Sequence, residues 1–169
     1  VHKRRLLPGN APGVASSTKG VRGMANKVKD SIDVQATAEE LFEVAADFAA
    51  YPEWNANIKN VEIKETDEEG RASKVWFEVD AKIKVVTYTL EYEYANAPEA
   101  FSWELVDGDV KELSGSYLFD EFDDVTEVTY ETSIDPGFPV PGFLKRQAEK
   151  QIVRSALEDL KKRVESLAE

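Results

Sequence analysis

Six consecutive stretches of the chain alternate apolar and polar side chains, and this period of two constrains the fold more than any other feature. The stretches cover about residues 59–67, 71–82, 84–95, 100–107, 112–121 and 126–134. Period-two alternation places the apolar side chains of each strand on one face, which predicts a sheet with one buried face. The connections are short, and one contains the turn-forming pair Asp107 and Gly108. The simplest arrangement is an antiparallel meander.

Helical signals lie on either side of these strands. Residues 28–34 predict a first strand, and Thr37 followed by Glu40 forms a capping box that predicts a short helix from about Ala38 to Ala49. The sequence YPEWNANI then indicates a second short helix or helical turn. A long amphipathic helix is expected to begin near Phe143, because apolar residues recur at steps of three or four: Ile152, Val153, Leu157, Leu160, Val164 and Leu167. This apolar stripe needs a sheet to pack on.

Length and composition are those of one globular domain. The chain has 169 residues, of which 42% are hydrophobic and 32% charged, and no apolar run approaches the roughly 20 residues that a membrane-spanning helix needs. There is no cysteine, which excludes disulfides, thiolate nucleophiles and cysteine-ligated metals. Nothing in the composition indicates an oxidising compartment, and the expected location is cytoplasmic.

Charge is distributed unevenly along the chain. Residues 1–29 contain seven Lys or Arg and no acid, which leaves 14 basic and 33 acidic residues in 30–169, a net charge of about −19. A field of that sign repels nucleic-acid phosphates and anionic lipid surfaces, although it also serves solubility. We therefore expect no nucleic acid or membrane to bind the acidic domain. Residues 1–26 are rich in Gly, Pro, Ala and Ser and are predicted to form a disordered basic tail, with one domain over residues 27–169.

Two segments carry a family resemblance. The sequence VQATAEELFEVAADFAAYPEWNANIKNVEI and the sequence FSWELVDGDVKELSGSYLFDEF resemble the polyketide cyclase/dehydrase and lipid-transport group of the START-like (SRPBCC) superfamily. The resemblance covers about Lys27 to Leu167. It implies an α+β helix-grip fold, in which a curved antiparallel sheet of about seven strands packs around a long C-terminal helix, with two short helices after the first strand. In relatives, a cavity between sheet and helix accepts lipids, isoprenoid quinones or polyketides.

Aromatic side chains are the candidate ligand-binding residues. Five lie on strand faces that read as inward, where a Tyr hydroxyl can fix the polar end of a ligand: Tyr88, Tyr92, Trp103, Tyr117 and Tyr130. The resemblance implies that Trp54, Phe138 and Phe143 lie near the open end of the grip, where relatives admit ligand. Core packing and turn chemistry explain the same residues, so both interpretations stay open.

Catalytic groups are scarce. The one histidine, His2, lies in the tail, so neither a Ser-His-Asp triad nor a histidine metal site is expected. The carboxylate pairs Glu78 with Asp80 and Glu91 with Glu93 lie opposite the apolar residues and are predicted to face solvent. No phosphate-binding loop or metal-ligand spacing appears. We therefore assign no catalytic residue, no metal and no cofactor.

Three functions are compatible with these features. The leading hypothesis is a carrier that binds a lipid, isoprenoid quinone or polyketide-like molecule. The second is a polyketide cyclase or dehydratase that shapes its substrate and uses Tyr hydroxyls as proton donors, without metal or histidine. The third is a module that binds the ribosome or a protein partner. The scarcity of catalytic groups favours binding over catalysis.

Overall fold

A computed structural model describes residues 27–82 and 84–168 of the chain. Seven strands form one sheet: β1 Lys27–Val34, β2 Ile58–Thr66, β3 Ala72–Asp80, β4 Val85–Glu93, β5 Ala100–Gly108, β6 Glu112–Phe122 and β7 Val125–Asp135. The helices are α1 Ala38–Ala45, a 3-10 turn Phe48–Ala50, α2 Tyr51–Trp54 and α3 Gly142–Leu167. The predicted tail of residues 1–26 lies outside the described residues and stays a prediction.

The sheet is antiparallel throughout. Its order is β1-β7-β6-β5-β4-β3-β2, so β2 to β7 form a meander and β1 joins it at the edge of β7. This is the helix-grip fold that the sequence predicted, with the long helix packed on the sheet. None of the helices in residues 27–82 and 84–168 is long and apolar enough to cross a membrane.

The first helix begins as predicted but ends earlier. Its capping box is present, because the Thr37 hydroxyl accepts a hydrogen bond from the Glu40 amide at 3.1 Å and the Glu40 carboxylate accepts one from the Thr37 amide at 2.9 Å. The helix ends at Ala45 instead of Ala49, and a 3-10 turn then places Phe48 in the core at 1% exposure. The Tyr51 hydroxyl donates to the Ala45 carbonyl, which satisfies a group that the helix end leaves free.

The long helix packs along the concave face of the sheet, close to β1. Its buried apolar side chains are Val153, Leu157, Leu160 and Val164. Arg154 pairs with Asp30 at 2.7 Å, and seven residues later Lys161 donates to the Asp33 carbonyl at 3.0 Å. Seven helical residues rise about 10.5 Å and three strand residues about 10 Å. The two contacts are therefore equally spaced along both elements, and α3 and β1 run parallel.

Candidate ligand-binding site

A continuous layer of aromatic rings covers the concave face of the sheet. Strand register places Tyr92 opposite Trp103 and Tyr117 opposite Tyr130, while Tyr88 lies opposite Phe77. The ring centroids of Tyr117 and Tyr130 are 4.9 Å apart and stacked, and Trp103 lies 5.8 Å from Tyr92 and 5.7 Å from Tyr130. The structure therefore brings together Tyr92, Trp103, Tyr117 and Tyr130. Tyr88 contacts Phe77 at 5.8 Å, Phe77 contacts Phe48 at 6.2 Å, and Phe48 contacts Tyr92 at 4.3 Å, so Tyr88 joins the four through two phenylalanines.

Gly115, in the middle of β6, makes room for this layer. It pairs with Trp103 of β5, and a Cβ added at Gly115 would lie 2.6 Å from the Trp103 indole. The indole therefore lies against the bare backbone of β6, in a space that any larger residue would fill.

The tyrosine hydroxyls fall into two groups. The hydroxyl of Tyr51 donates to the Ala45 carbonyl, and that of Tyr94 donates to the Ala72 carbonyl at 2.5 Å. Within residues 27–82 and 84–168, the other four hydroxyls make no hydrogen bond with the protein: Tyr88, Tyr92, Tyr117 and Tyr130. Among the described residues, the fully enclosed polar atoms without a partner belong to Trp54 and Glu149 and include none of these hydroxyls. The four unpaired hydroxyls therefore open onto space that a bound molecule or water can reach.

Burial keeps these hydroxyls protonated. It raises the pKa of Tyr130 to about 12. Burial is also the main reason that the pKa values of Tyr88, Tyr92 and Tyr117 lie above their usual range, with a smaller contribution from the neighbouring tyrosines. At neutral pH the layer therefore presents uncharged O–H groups, which can donate and accept hydrogen bonds.

The long helix carries two carboxylates that are wholly or partly buried. Glu149 is 4% exposed, and while one of its oxygens pairs with the Lys145 ammonium at 2.6 Å, the other has no partner in the part of the chain that the structure describes. Asp159 is half-buried, burial raises its pKa, and its charge contributes to the raised pKa of Tyr117.

Sequence reasoning missed Glu149. The signal was present, because Glu149 lies four residues before Val153 and thus extends the buried stripe of Val153, Leu157, Leu160 and Val164 by one turn. A carboxylate at that point reads as part of a solvated face, which explains the omission.

The other three predicted residues lie away from the tyrosine layer. Trp54, at the end of α2, is half-buried against Tyr51 at 4.9 Å, and its indole N–H is buried without a partner among the described residues. Phe138 is half-buried in the loop before α3, where the Lys84 ammonium lies 5.2 Å from its ring. Phe143 is 69% exposed in the first turn of α3. In the described part of the chain, no grouping of His, Asp or Glu side chains could hold a metal ion.

Comparison with known proteins identifies a family. The family described as polyketide cyclase / dehydrase and lipid transport matches residues 25–165. No curated protein sequence matches the chain.

Several solved structures share the fold. A START superfamily protein from Mycobacterium smegmatis is 24% identical, with a TM-score of 0.78 over 83% of this chain and 98% of its own. The Zhui aromatase/cyclase from Streptomyces sp. R1128 is 18% identical, with a TM-score of 0.71 over 85% of this chain and 96% of its own. A protein from Thermus thermophilus is also 18% identical, with a TM-score of 0.73 over 85% of this chain and 100% of its own. At these identities the likeness shows the fold alone.

Proposed function

Because the chain belongs to the polyketide cyclase / dehydrase and lipid transport family, we propose that it binds a hydrophobic small molecule between the concave face of its sheet and α3. The observation that carries the proposal is the set of four unpaired hydroxyls at Tyr88, Tyr92, Tyr117 and Tyr130. A purely structural aromatic core would pair these groups, as it pairs the hydroxyls of Tyr51 and Tyr94.

The proposed ligand has a large apolar body and a few oxygens. The rings of Tyr92, Trp103, Tyr117 and Tyr130 form the apolar wall, and the hydroxyls fix a carbonyl or hydroxyl of the ligand. In this proposal the unpaired oxygen of Glu149 accepts a hydrogen bond from a donor on the ligand. A lipid, an isoprenoid quinone or a polyketide-like polycycle fits this description. Trp54, Phe138 and Phe143 form the rim of the entrance in this proposal.

A second function, cyclisation or dehydration of a bound polyketide, is favoured by one specific observation. Asp159 has a raised pKa and lies near enough to Tyr117 to affect its ionisation. A carboxyl group with a raised pKa and a neutral Tyr hydroxyl are groups that can move a proton to and from a substrate. The aromatase/cyclase from Streptomyces shares this fold.

The first test is native mass spectrometry of the protein purified from its own host, followed by denaturing extraction. We expect a stoichiometric apolar molecule in the extract, and its structure identifies the ligand class. A clean apo mass, together with no thermal shift across a panel of lipids, quinones and polycyclic aromatics, would contradict the proposal.

Tyr130→Phe and Tyr117→Phe then test the hydroxyls. Each removes one hydrogen bond to the ligand, so we expect affinity to fall about 3- to 10-fold per hydroxyl. The matched control is Tyr94→Phe, whose hydroxyl is already paired with Ala72, and it should leave the affinity unchanged. An enzyme that uses Tyr117 as its acid would instead lose turnover far more than affinity in Tyr117→Phe, which separates the two functions.

A further inference from the structure

A groove lies between the edge strand β1 and the amino-terminal half of α3. It is lined by residues 27–30 of the strand and by residues from 146 to 154 of the helix, and encloses about 760 Å³. Val28 and Val153 form its apolar part. The groove is distinct from the proposed ligand site, because neither the tyrosines of the aromatic layer nor Trp103 line it.

Positive charge is concentrated around this groove. Its lining includes Lys27, Lys29, Arg146, Lys150 and Arg154, against a single acid, Asp30. Arg154 pairs with Asp30 at 2.7 Å and with Glu158 at 3.2 Å. In the described part of the chain, no carboxylate forms an ion pair with any of the other four cations. Along β1 the side chains of Lys27 and Lys29 alternate with those of Val28 and Asp30, so they lie on the outer side of the sheet, where Lys29 is paired in register with Glu131. Arg146 and Lys150 are therefore the two unpaired cations that α3 contributes to the groove.

Exposed apolar side chains continue the groove at its amino-terminal end. Phe143, Gln147, Lys150 and Arg154 follow one another at steps of four, three and four, which places Phe143 on the groove face of α3. Phe143 is 69% exposed and Leu144 is 47% exposed. A large aromatic ring and a leucine therefore project into solvent beside the unpaired cations.

We propose that this basic groove, with Phe143 and Leu144 at its end, docks the protein on an anionic membrane surface. Lys and Arg near a bilayer gain energy from anionic headgroups, and Phe and Leu gain energy by entering the headgroup boundary. The acidic remainder of the domain opposes this at long range, but its field is screened beyond about 8–10 Å at physiological salt. The summed charge of residues 30–169 predicted no membrane binding by the domain, and the sum conceals this local arrangement.

Docking in this orientation serves a carrier of apolar molecules. Phe143 and Leu144 begin the helix directly after the loop that contains Phe138, on the side proposed as the entrance. A ligand would then pass between bilayer and protein without crossing water. The docking itself stands on the groove's charge and the exposed side chains, and is independent of what the sheet binds.

Co-sedimentation of the full chain with vesicles tests the proposal. The vesicles are pure phosphatidylcholine or phosphatidylcholine mixed with phosphatidylserine, and we expect binding only to the second, weakening as salt rises. The double variant Arg146→Glu with Lys150→Glu should bind at least tenfold more weakly. Phe143→Ala should bind several-fold more weakly, since it removes the inserting ring.

The control for charge is Lys59→Glu with Lys162→Glu, which makes the same change in net charge at exposed lysines outside the groove. It should retain the binding of the unaltered protein. Three results would overturn the proposal: equal loss of binding in the two double variants, unchanged binding in the groove variant, or no binding of the unaltered protein to anionic vesicles. The third result would point to an acidic protein as the groove's partner. Arg146→Gln with Lys150→Gln, set against Lys59→Gln with Lys162→Gln, repeats the comparison if a Glu variant fails to fold.

Discussion

Gly115 determines how closely the aromatic layer can approach the sheet. Because its missing Cβ leaves space for the Trp103 indole, we expect Gly115→Ala to force the indole or β6 to move and to lower the free energy of unfolding by about 1–3 kcal/mol. Chemical denaturation measures this change. Gly142→Ala is the control, because a Cβ at Gly142 meets nothing within 4 Å and alanine favours a helix. Equal stability in the two variants would show that the packing around Trp103 leaves room for an added methyl group.

The burial of Glu149 is expected to lower the stability of the fold. One of its carboxylate oxygens is buried without a partner, so we expect Glu149→Leu to raise the free energy of unfolding by about 1 kcal/mol, measured by chemical denaturation. The same variant should lose affinity for ligands that carry a hydrogen-bond donor. Glu158→Leu, at an exposed position of the same helix, should change stability by less than about 0.5 kcal/mol. A loss of stability in Glu149→Leu would mean that its pairing with Lys145 outweighs the unpaired oxygen.

At the scale of elements, α3 packs on the sheet through a narrow stripe of buried apolar side chains. Leu157 is 0% exposed against the sheet, whereas Ile152 of the same helix is 37% exposed. We expect Leu157→Ala to cost about 2–5 kcal/mol of unfolding free energy and Ile152→Ala less than about 1 kcal/mol, both measured by chemical denaturation. Similar costs at the two positions would indicate that Ile152 packs against something else in solution.

Local patterns predicted the elements well. Alternation and turn residues act over a few positions, so the six strands from β2 to β7 begin and end within two residues of the predicted bounds. The end of α1 was predicted wrongly, because it depends on Phe48 entering the core and on the Tyr51 hydroxyl meeting the Ala45 carbonyl. Those contacts arise only when the sheet is in place, and no helical period records them.

The candidate site was predictable in part for the same reason. Period two placed Tyr88, Tyr92, Trp103, Tyr117 and Tyr130 on one face of the sheet, and the register confirms that shared face. Which hydroxyls find a partner depends instead on where individual backbone carbonyls lie, as Tyr94 and Ala72 illustrate across 22 residues of sequence. The unpaired state of the other four was therefore invisible in the sequence.

At the scale of the whole molecule, total charge and local charge lead to different conclusions. The net charge of −12 describes solubility and long-range repulsion. Binding at a surface depends on charges within about one Debye length, and the charged residues that line the groove between β1 and α3 are mostly Lys and Arg. Composition alone could not separate the two, because the strand and the helix that form the groove lie more than 100 residues apart.

The buried tyrosines couple the stability of the whole domain to alkaline pH. In the unfolded chain a Tyr hydroxyl loses its proton near pH 10, whereas burial holds the pKa of Tyr130 at about 12 in the folded protein. Between these values the unfolded state binds fewer protons than the folded state, so the free energy of unfolding falls as pH rises. The contribution is fully present below about pH 10, and each such tyrosine removes up to about 1.4 kcal/mol per pH unit above it.

Denaturation midpoints measured from neutral pH to about pH 12 test this, with tyrosinate absorbance reporting ionisation directly. We expect these tyrosines to leave the free energy of unfolding unchanged up to about pH 10 and to lower it steeply above that pH. The decline is steep because burial raises the pKa of Tyr88, Tyr92 and Tyr117 as it raises that of Tyr130. Tyr130→Phe removes one proton from the linkage, so its decline should be shallower by up to about 1.4 kcal/mol per pH unit. An identical decline in Tyr130→Phe would mean that the Tyr130 hydroxyl is solvated in the folded protein, which would also weaken its assignment to the ligand site.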